Sequence, residues 1–125
     1  MNFGVVLDAV FLEHHNPPGH PERPERIETL ITAFDGYRGP IDRFPPREIE
    51  DQWLKAVHLP EHVARIQRTR GLPRYDLDAD THTSARSYEL ARLAAGSAVA
   101  LLDLMREGVT GQQKSPLFGQ QNSPL

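Results

Sequence analysis

The segment His14–Arg26 (HHNPPGHPERPER) places four prolines and a glycine within thirteen residues. Proline fixes φ and removes a backbone donor, so neither helix nor sheet ladder can run through such a stretch. The elements on either side must therefore be separate. Before it, Phe3 to Leu12 (FGVVLDAVFL) is a β-branched and aromatic run with one charge, which predicts a buried strand. After it, Ile27, Leu30, Ile31 and Phe34 recur at helical spacing, predicting a helix over Glu25 to Phe34 with Gly36 as its C-cap.

Further along, Ile41 to Ile49 is broken by FPPRE and predicts a short strand leading into a turn. Trp53, Leu54 and Val57 share one side of a short helix over Glu50 to Val57. Pro60 and Glu61 suit the first turn of the next helix, which runs to Gly71. Tyr75 to Thr83 (YDLDADTHT) alternates aspartates with apolar or small residues, as a short strand or extended loop would. Ser84 to Glu107 carries the clearest helical pattern, with a stripe of Leu90, Leu93, Ala94, Ala98, Leu101, Leu102 and Met105. Ala91, Ala95 and Gly96 add small faces for close packing. This order predicts an α/β layer architecture with a mainly parallel sheet and flanking helices. Past residue 110, GQQKSPL (111–117) recurs as GQQNSPL (119–125). Two such units without apolar periodicity predict a tail outside the fold: a flexible tail, a cloning scar or a shifted reading frame.

The length of 125 residues holds one domain, and residues 1–110 are assigned to it. Fourteen basic against seventeen acidic residues give a net charge of −3, which argues against nucleic acid or an anionic membrane as partner. The absence of cysteine excludes disulfide scaffolds, thiolate zinc sites and cysteine nucleophiles. The longest apolar run, Ala98 to Leu102, is far shorter than a membrane span, and the N-terminus lacks a signal-peptide pattern, so the expected compartment is the cytoplasm.

The candidate chemistry lies with histidine and aspartate. His14, His15 and His20 flank the proline loop directly after the first strand, where α/β proteins bind ligands; the alternative is a rigid loop whose histidines satisfy backbone groups. His58 and His62 have the i, i+4 spacing of a helical metal pair, but Pro60 lies between them, and structural roles are expected. Asp76, Asp78, Asp80 and His82 would point the same way in an extended strand, yet the EF-hand glycine and distal glutamate are missing. Thr83 or Ser84 is placed to cap the long helix. Arg65, Arg68 and Arg70 read as a solvated face. No GxSxG, Walker, GxGxxG or HExxH motif occurs.

GHPERPERI (19–27), preceded by a strand and Glu13-His14, resembles the N-terminal signature of the histone deacetylase superfamily, especially its bacterial class II-like deacetylases, acetoin-utilisation proteins and acetylpolyamine amidohydrolases. Three further stretches follow in the family's order. Ala56-Val57-His58 with Pro60 to Ile66 resembles "VHxPEYVxRI", Asp78 to Thr81 with Ser84 resembles "DxDTxxS", and Ser87-Tyr88-Glu89 with Ala91 and Ala94-Ala95-Gly96 resembles the helix after it. The resemblance covers residues 3 to about 110. It implies an open, mainly parallel arginase/deacetylase-like sheet, of which this chain would be a part. In the family a zinc-activated water hydrolyses acetyl-lysine or acetylpolyamine amides, with a histidine as proton acceptor and a tyrosine at the oxyanion. By the same resemblance, His20, Pro21 and Glu22 form one wall of the acyl channel, and Asp80 is a rim carboxylate that receives substrate amides.

In the family, the helix matching 87–107 leads to "RPPGHHA", and the Asp-x-His and aspartate zinc ligands and Gly-Gly-Tyr come later still. Here the sequence enters the 111–125 repeat instead. The expectation is a truncated deacetylase-like chain, inactive alone, with no zinc ligands or catalytic residues of its own. The alternative is a non-catalytic module that self-associates or completes the sheet of a protein partner. A third possibility is a new site assembled across an oligomer from His14, His15, His20, Asp78, Asp80 and His82.

Overall fold

The computed structural model describes residues 3–107. The 111–125 repeat lies outside the described residues. Strand β1 (Phe3–Val5) pairs in parallel with β2 (Ile41–Arg43), with Phe3 opposite Ile41 and Val5 opposite Arg43. The apolar run after Val5 does not continue as a strand to Leu12. It turns into a 3-10 helix over Ala9–Glu13, because the Asp8 side chain accepts the Val10 N–H at 2.8 Å and caps a helical turn. Helix α1 (Pro24–Gly36) begins with proline at its first position, where the lost N–H costs nothing. Gly36 is the last residue of α1 rather than a left-handed cap; Tyr37 closes the helix, its N–H reaching the Phe34 carbonyl.

Two short helices, α2 (Asp51–Val57) and α3 (Pro60–Gln67), follow. The segment after α3 turns through Gly71, whose φ of 79° is left-handed and whose N–H bonds the Ala85 carbonyl. Residues 75–83 form an antiparallel hairpin, β3 (Tyr75–Asp76) and β4 (His82–Thr83), instead of one extended strand. Helix α4 (Ser87–Arg106) completes the order.

Helix α4 organises the core. Its buried residues are Ser87, Leu90, Gly96, Ser97, Ala100 and Leu104. That face is rotated away from the expected stripe: Ala94, Ala98, Leu102 and Met105 are exposed. The cause is the backbone of Arg47–Ile49, which lies directly on Gly96; a Cβ there would collide with Arg47, Glu48 and Ile49 backbone atoms. The Arg47 N–H donates to Ser97 Oγ at 3.1 Å, and the Ile49 N–H to the Arg92 carbonyl at 3.1 Å. The Arg92 guanidinium returns to the Ile49 carbonyl, Glu48 and Asp51 at 2.7–2.8 Å. Burial disfavours its charge, but Asp51 and Glu48 outweigh that and raise its pKa. Through Gly4, β1 faces Phe44 and Leu101. The buried hydrophobics among the described residues are Ile49, Leu90, Ala100 and Leu104. Among the described residues, no helix is long and apolar enough to cross a membrane.

Candidate functional site

The proline loop is rigid for reasons written in its sequence. Pro18 and Gly19 occupy the centre of a turn closed by the His20 N–H on the Pro17 carbonyl at 3.1 Å. Gly19 has φ of 82°, as the third residue of a type II turn requires. Asn16 Nδ2 donates to the Glu22 carbonyl at 3.1 Å and spans the turn.

The start of this loop is tied to the N-terminus of α4. Ser87 Oγ accepts the Ser84 N–H at 2.7 Å and meets His14 Nδ1 at 2.7 Å, while Ser84 Oγ accepts the His15 N–H at 3.0 Å. Asn16 lies 3.2 Å from His14 Nε2. Asn16 is a donor there, so Nε2 accepts and Nδ1 carries the proton given to Ser87. Arg86 adds an ion pair with Glu13 at 2.6 Å. The helix has Arg86 at its N-cap without a side-chain cap, so neither Thr83 nor Ser84 plays the expected capping part. Ser84 and Ser87 serve the loop instead. Their Ser-x-x-Ser spacing at a helix start was the sequence signal for such a polar junction.

The far end of the loop rests on the hairpin. His20 Nδ1 accepts the Glu22 N–H at 3.1 Å, leaving Nε2 to donate to the Asp80 carbonyl at 3.3 Å, with the Asp80 carboxylate 3.5 Å away. The structure thus brings His20 and Asp80 together from sequence positions sixty apart. The His20 side chain is 13% exposed, whereas that of Asp80 is 93% exposed. Pro21 and Glu22 sit on the exposed outer side of the same loop. The His15 side chain is exposed, and its residue enters the network through the backbone.

Within the hairpin, the chain reversal separates the aspartates that alternation would have aligned. Asp76 pairs with His82 across the strands at 2.8 Å and takes a two-pronged contact from Arg74 at 2.8 and 3.2 Å. Arg74 and then His82 hold the Asp76 carboxyl below its usual range. Asp78 Oδ1 accepts the Asp80 N–H at 2.9 Å, and that bond, followed by the Thr81 hydroxyl, lowers the Asp78 pKa. The His20 and His82 rings meet edge to face at 5.5 Å. Arg65 on α3 donates to the Leu77 carbonyl at 2.7 Å and Arg70 pairs with Glu89 at 2.6 Å, so these arginines are not merely a solvated face. Arg74 and Asp76 stand only two residues apart; what the hairpin adds, and sequence spacing does not show, is His82 on the same carboxylate.

Among the described residues, no group of three or more histidine, aspartate or glutamate side chains is placed to hold a metal ion. The loop histidines are engaged elsewhere, His14 with Ser87, His20 with Glu22 and Asp80, and His82 with Asp76. The described residues therefore do not offer the donor set that a catalytic zinc requires. His58 and His62, in contrast, have their rings 5.2 Å apart, so the break at Pro60 brings the two imidazoles side by side.

The site is thus a proline-turn loop bridged by a histidine to an acidic hairpin, in an α/β fold with one parallel strand pair among the described residues. The sequence model of the histone deacetylase domain matches residues 20–116, and the chain belongs to that family. It is 32% identical over 95 residues to the uncharacterised protein slr0245 of Synechocystis, covering 72% of this chain and 31% of that one. It is 32% identical over 117 residues to the polyamine deacetylase HDAC10 of Rattus norvegicus, covering 82% and 19% respectively. The crystal structure of the HDA15 HD domain superposes with a TM-score of 0.73 at 31% identity, over 86% of this chain and 33% of that one. The chain spans about a third or less of the length of these relatives.

Proposed function

We propose that this chain forms the substrate-facing wall and rim of a deacetylase site and does not itself hydrolyse amides. The observation that carries this reading is the His20–Asp80 bridge. It fixes the Asp80 backbone through its carbonyl while leaving the carboxylate almost fully open to solvent. A carboxylate so held can accept two N–H groups of an extended substrate and set its orientation. His20, Pro21 and Glu22 then line the approach of an acylated amine, either acetyl-lysine or an acetylpolyamine. In the family, zinc supplies the activated water. The loop and hairpin histidines are engaged with neighbouring side chains and backbone rather than gathered as a zinc donor set, which supports inactivity of the 125-residue chain alone.

The test has two arms. Titration of an acetyl-lysine peptide into the isotopically labelled chain is expected to shift amide resonances at residues 20–22 and 78–82, and Asp80→Ala should abolish those shifts. Unshifted resonances there would refute the rim assignment. In the second arm, zinc-supplemented chain should turn over acetyl-lysine and acetylspermidine reporters no faster than a chelator blank. Chelator-sensitive turnover would refute the inactivity.

A second reading, a module that self-associates or completes a partner's sheet, is favoured by apolar exposure. Val57, Leu59 and Met105 are 75%, 73% and 76% exposed. Helix α4 is apolar on its outer side as well as its buried one, as helices covered on both sides are. Sedimentation should then reveal dimers or larger species; a monodisperse monomer at high concentration would refute it.

A further inference from the structure

The geometry points to a two-histidine site for a late first-row divalent cation, Zn²⁺ or Ni²⁺, formed by His58 and His62 at the junction of α2 and α3. Both residues are exposed, and neither ring has a hydrogen-bond or ion-pair partner among the described residues, so one nitrogen of each neutral ring is free to bind. The rings lie 5.2 Å apart between centroids and are tilted by 34°. Two imidazoles on one tetrahedral zinc, with Zn–N bonds of about 2.0–2.1 Å, hold their centroids roughly 5 Å apart. The centroid separation is therefore compatible with both rings binding one ion.

The backbones behind the rings are fixed. The His58 N–H bonds the Leu54 carbonyl at 2.9 Å as the cap of α2, and the His62 N–H bonds the Leu59 carbonyl at 3.0 Å in the first turn of α3. Pro60, at the first position of α3, locks the corner between them. Backbones fixed in this way reduce the freedom lost on binding, and imidazole is a preferred donor for these metals. His62 stands where the "VHxPEYVxRI" pattern has tyrosine, so the pair belongs to this chain rather than to that pattern. The site lies on a different part of the fold from His20 and Asp80, and it stands or falls independently of the proposed deacetylase role. Two protein ligands leave coordination positions for water.

Calorimetric titration of the full chain with ZnCl₂, and separately NiCl₂, in a non-chelating buffer tests this. One equivalent of metal should bind, and His58→Gln or His62→Gln should each weaken binding about tenfold or more, as loss of a ligand must exceed loss of its supporting contacts. His15→Gln, another exposed histidine, should leave it unchanged. Paramagnetic Ni²⁺ should broaden the ring resonances of His58 and His62 before those of the other histidines in the unmutated chain, which keeps the test independent of mutant folding. Binding that survives both substitutions, broadening centred on other histidines, or no uptake at millimolar metal would overturn the assignment.

Discussion

Replacing Gly96 by alanine isolates the contact on which the long helix depends. By helix propensity alone the change stabilises by about 1 kcal/mol. The added methyl, however, enters space held by the backbone of Arg47, Glu48 and Ile49, which cannot swing aside as a flexible side chain would. Overpacking of this kind costs about 1–3 kcal/mol. Displacing the segment also weakens the Arg47–Ser97 and Ile49–Arg92 hydrogen bonds, each worth about 1 kcal/mol. The balance is a net destabilisation of about 2–4 kcal/mol, large beside a domain stability of about 5–15 kcal/mol. Urea unfolding followed by far-UV circular dichroism and by Trp53 fluorescence should show the midpoint falling by about 1–2 M at unchanged slope. Gly36→Ala is the control. A Cβ there meets nothing, φ is not left-handed, and stability should hold or rise by up to about 1 kcal/mol. A Gly96→Ala chain as stable as the parent would refute the close approach of residues 47–49 to α4.

Three further outcomes follow from the loop and hairpin. Ser87→Ala leaves the buried Ser84 N–H and the His14 Nδ1 proton without their acceptor, so thermal unfolding should report a loss of about 1–3 kcal/mol, with hydrogen exchange rising first at His14 and His15. Asp76 and Asp78 have lowered pKa values in the fold, so their contribution is complete above the ordinary carboxylate range and is lost as pH falls through the lowered values. Amide protection in β3 and β4 should therefore fade in that acid window, and Arg74→Gln should return the Asp76 carboxyl toward its ordinary range in an NMR titration; an unchanged Asp76 titration would refute the pairing.

What the sequence made legible was local. The prolines of 14–26 announce a loop, Pro60 announces a helix start, and the apolar periodicity of 27–34 announces α1, which begins one residue earlier than expected, at Pro24. The misreadings share a different cause. Phe3 to Leu12 looked like one strand because a short apolar run carries no sign of its period, and a single Asp8 cap decided the outcome. The stripe of α4 was assigned by hydrophobicity, whereas the buried face was chosen by the small residues Gly96, Ser97 and Ala100, whose value depends on a backbone segment fifty residues earlier. For the candidate site, the resemblance supplied His20 and Asp80 as separate residues. Their bridge, and the Ser84–Ser87 anchor behind it, required the chain's path in space.

The way this structure is held together bears on what it is for. Its buried hydrophobics within the described residues are four, and one is an alanine. The loop and hairpin are instead fixed by polar contacts that converge from Glu13–Glu22, Arg65, Arg74–Thr83 and Ser84–Ser87. Such contacts specify geometry well, but each returns only about 1 kcal/mol once the loss of water is counted. Apolar burial is the term that must outweigh chain entropy, and here much of the apolar surface, including Val57, Leu59, Leu102 and Met105, lies open. Under the proposed reading, well-defined polar geometry on a thin core is the arrangement expected of a part that acquires its remaining stability by being covered. Stability that rises with protein concentration would bear this out, and a concentration-independent unfolding midpoint would refute coverage by a second copy.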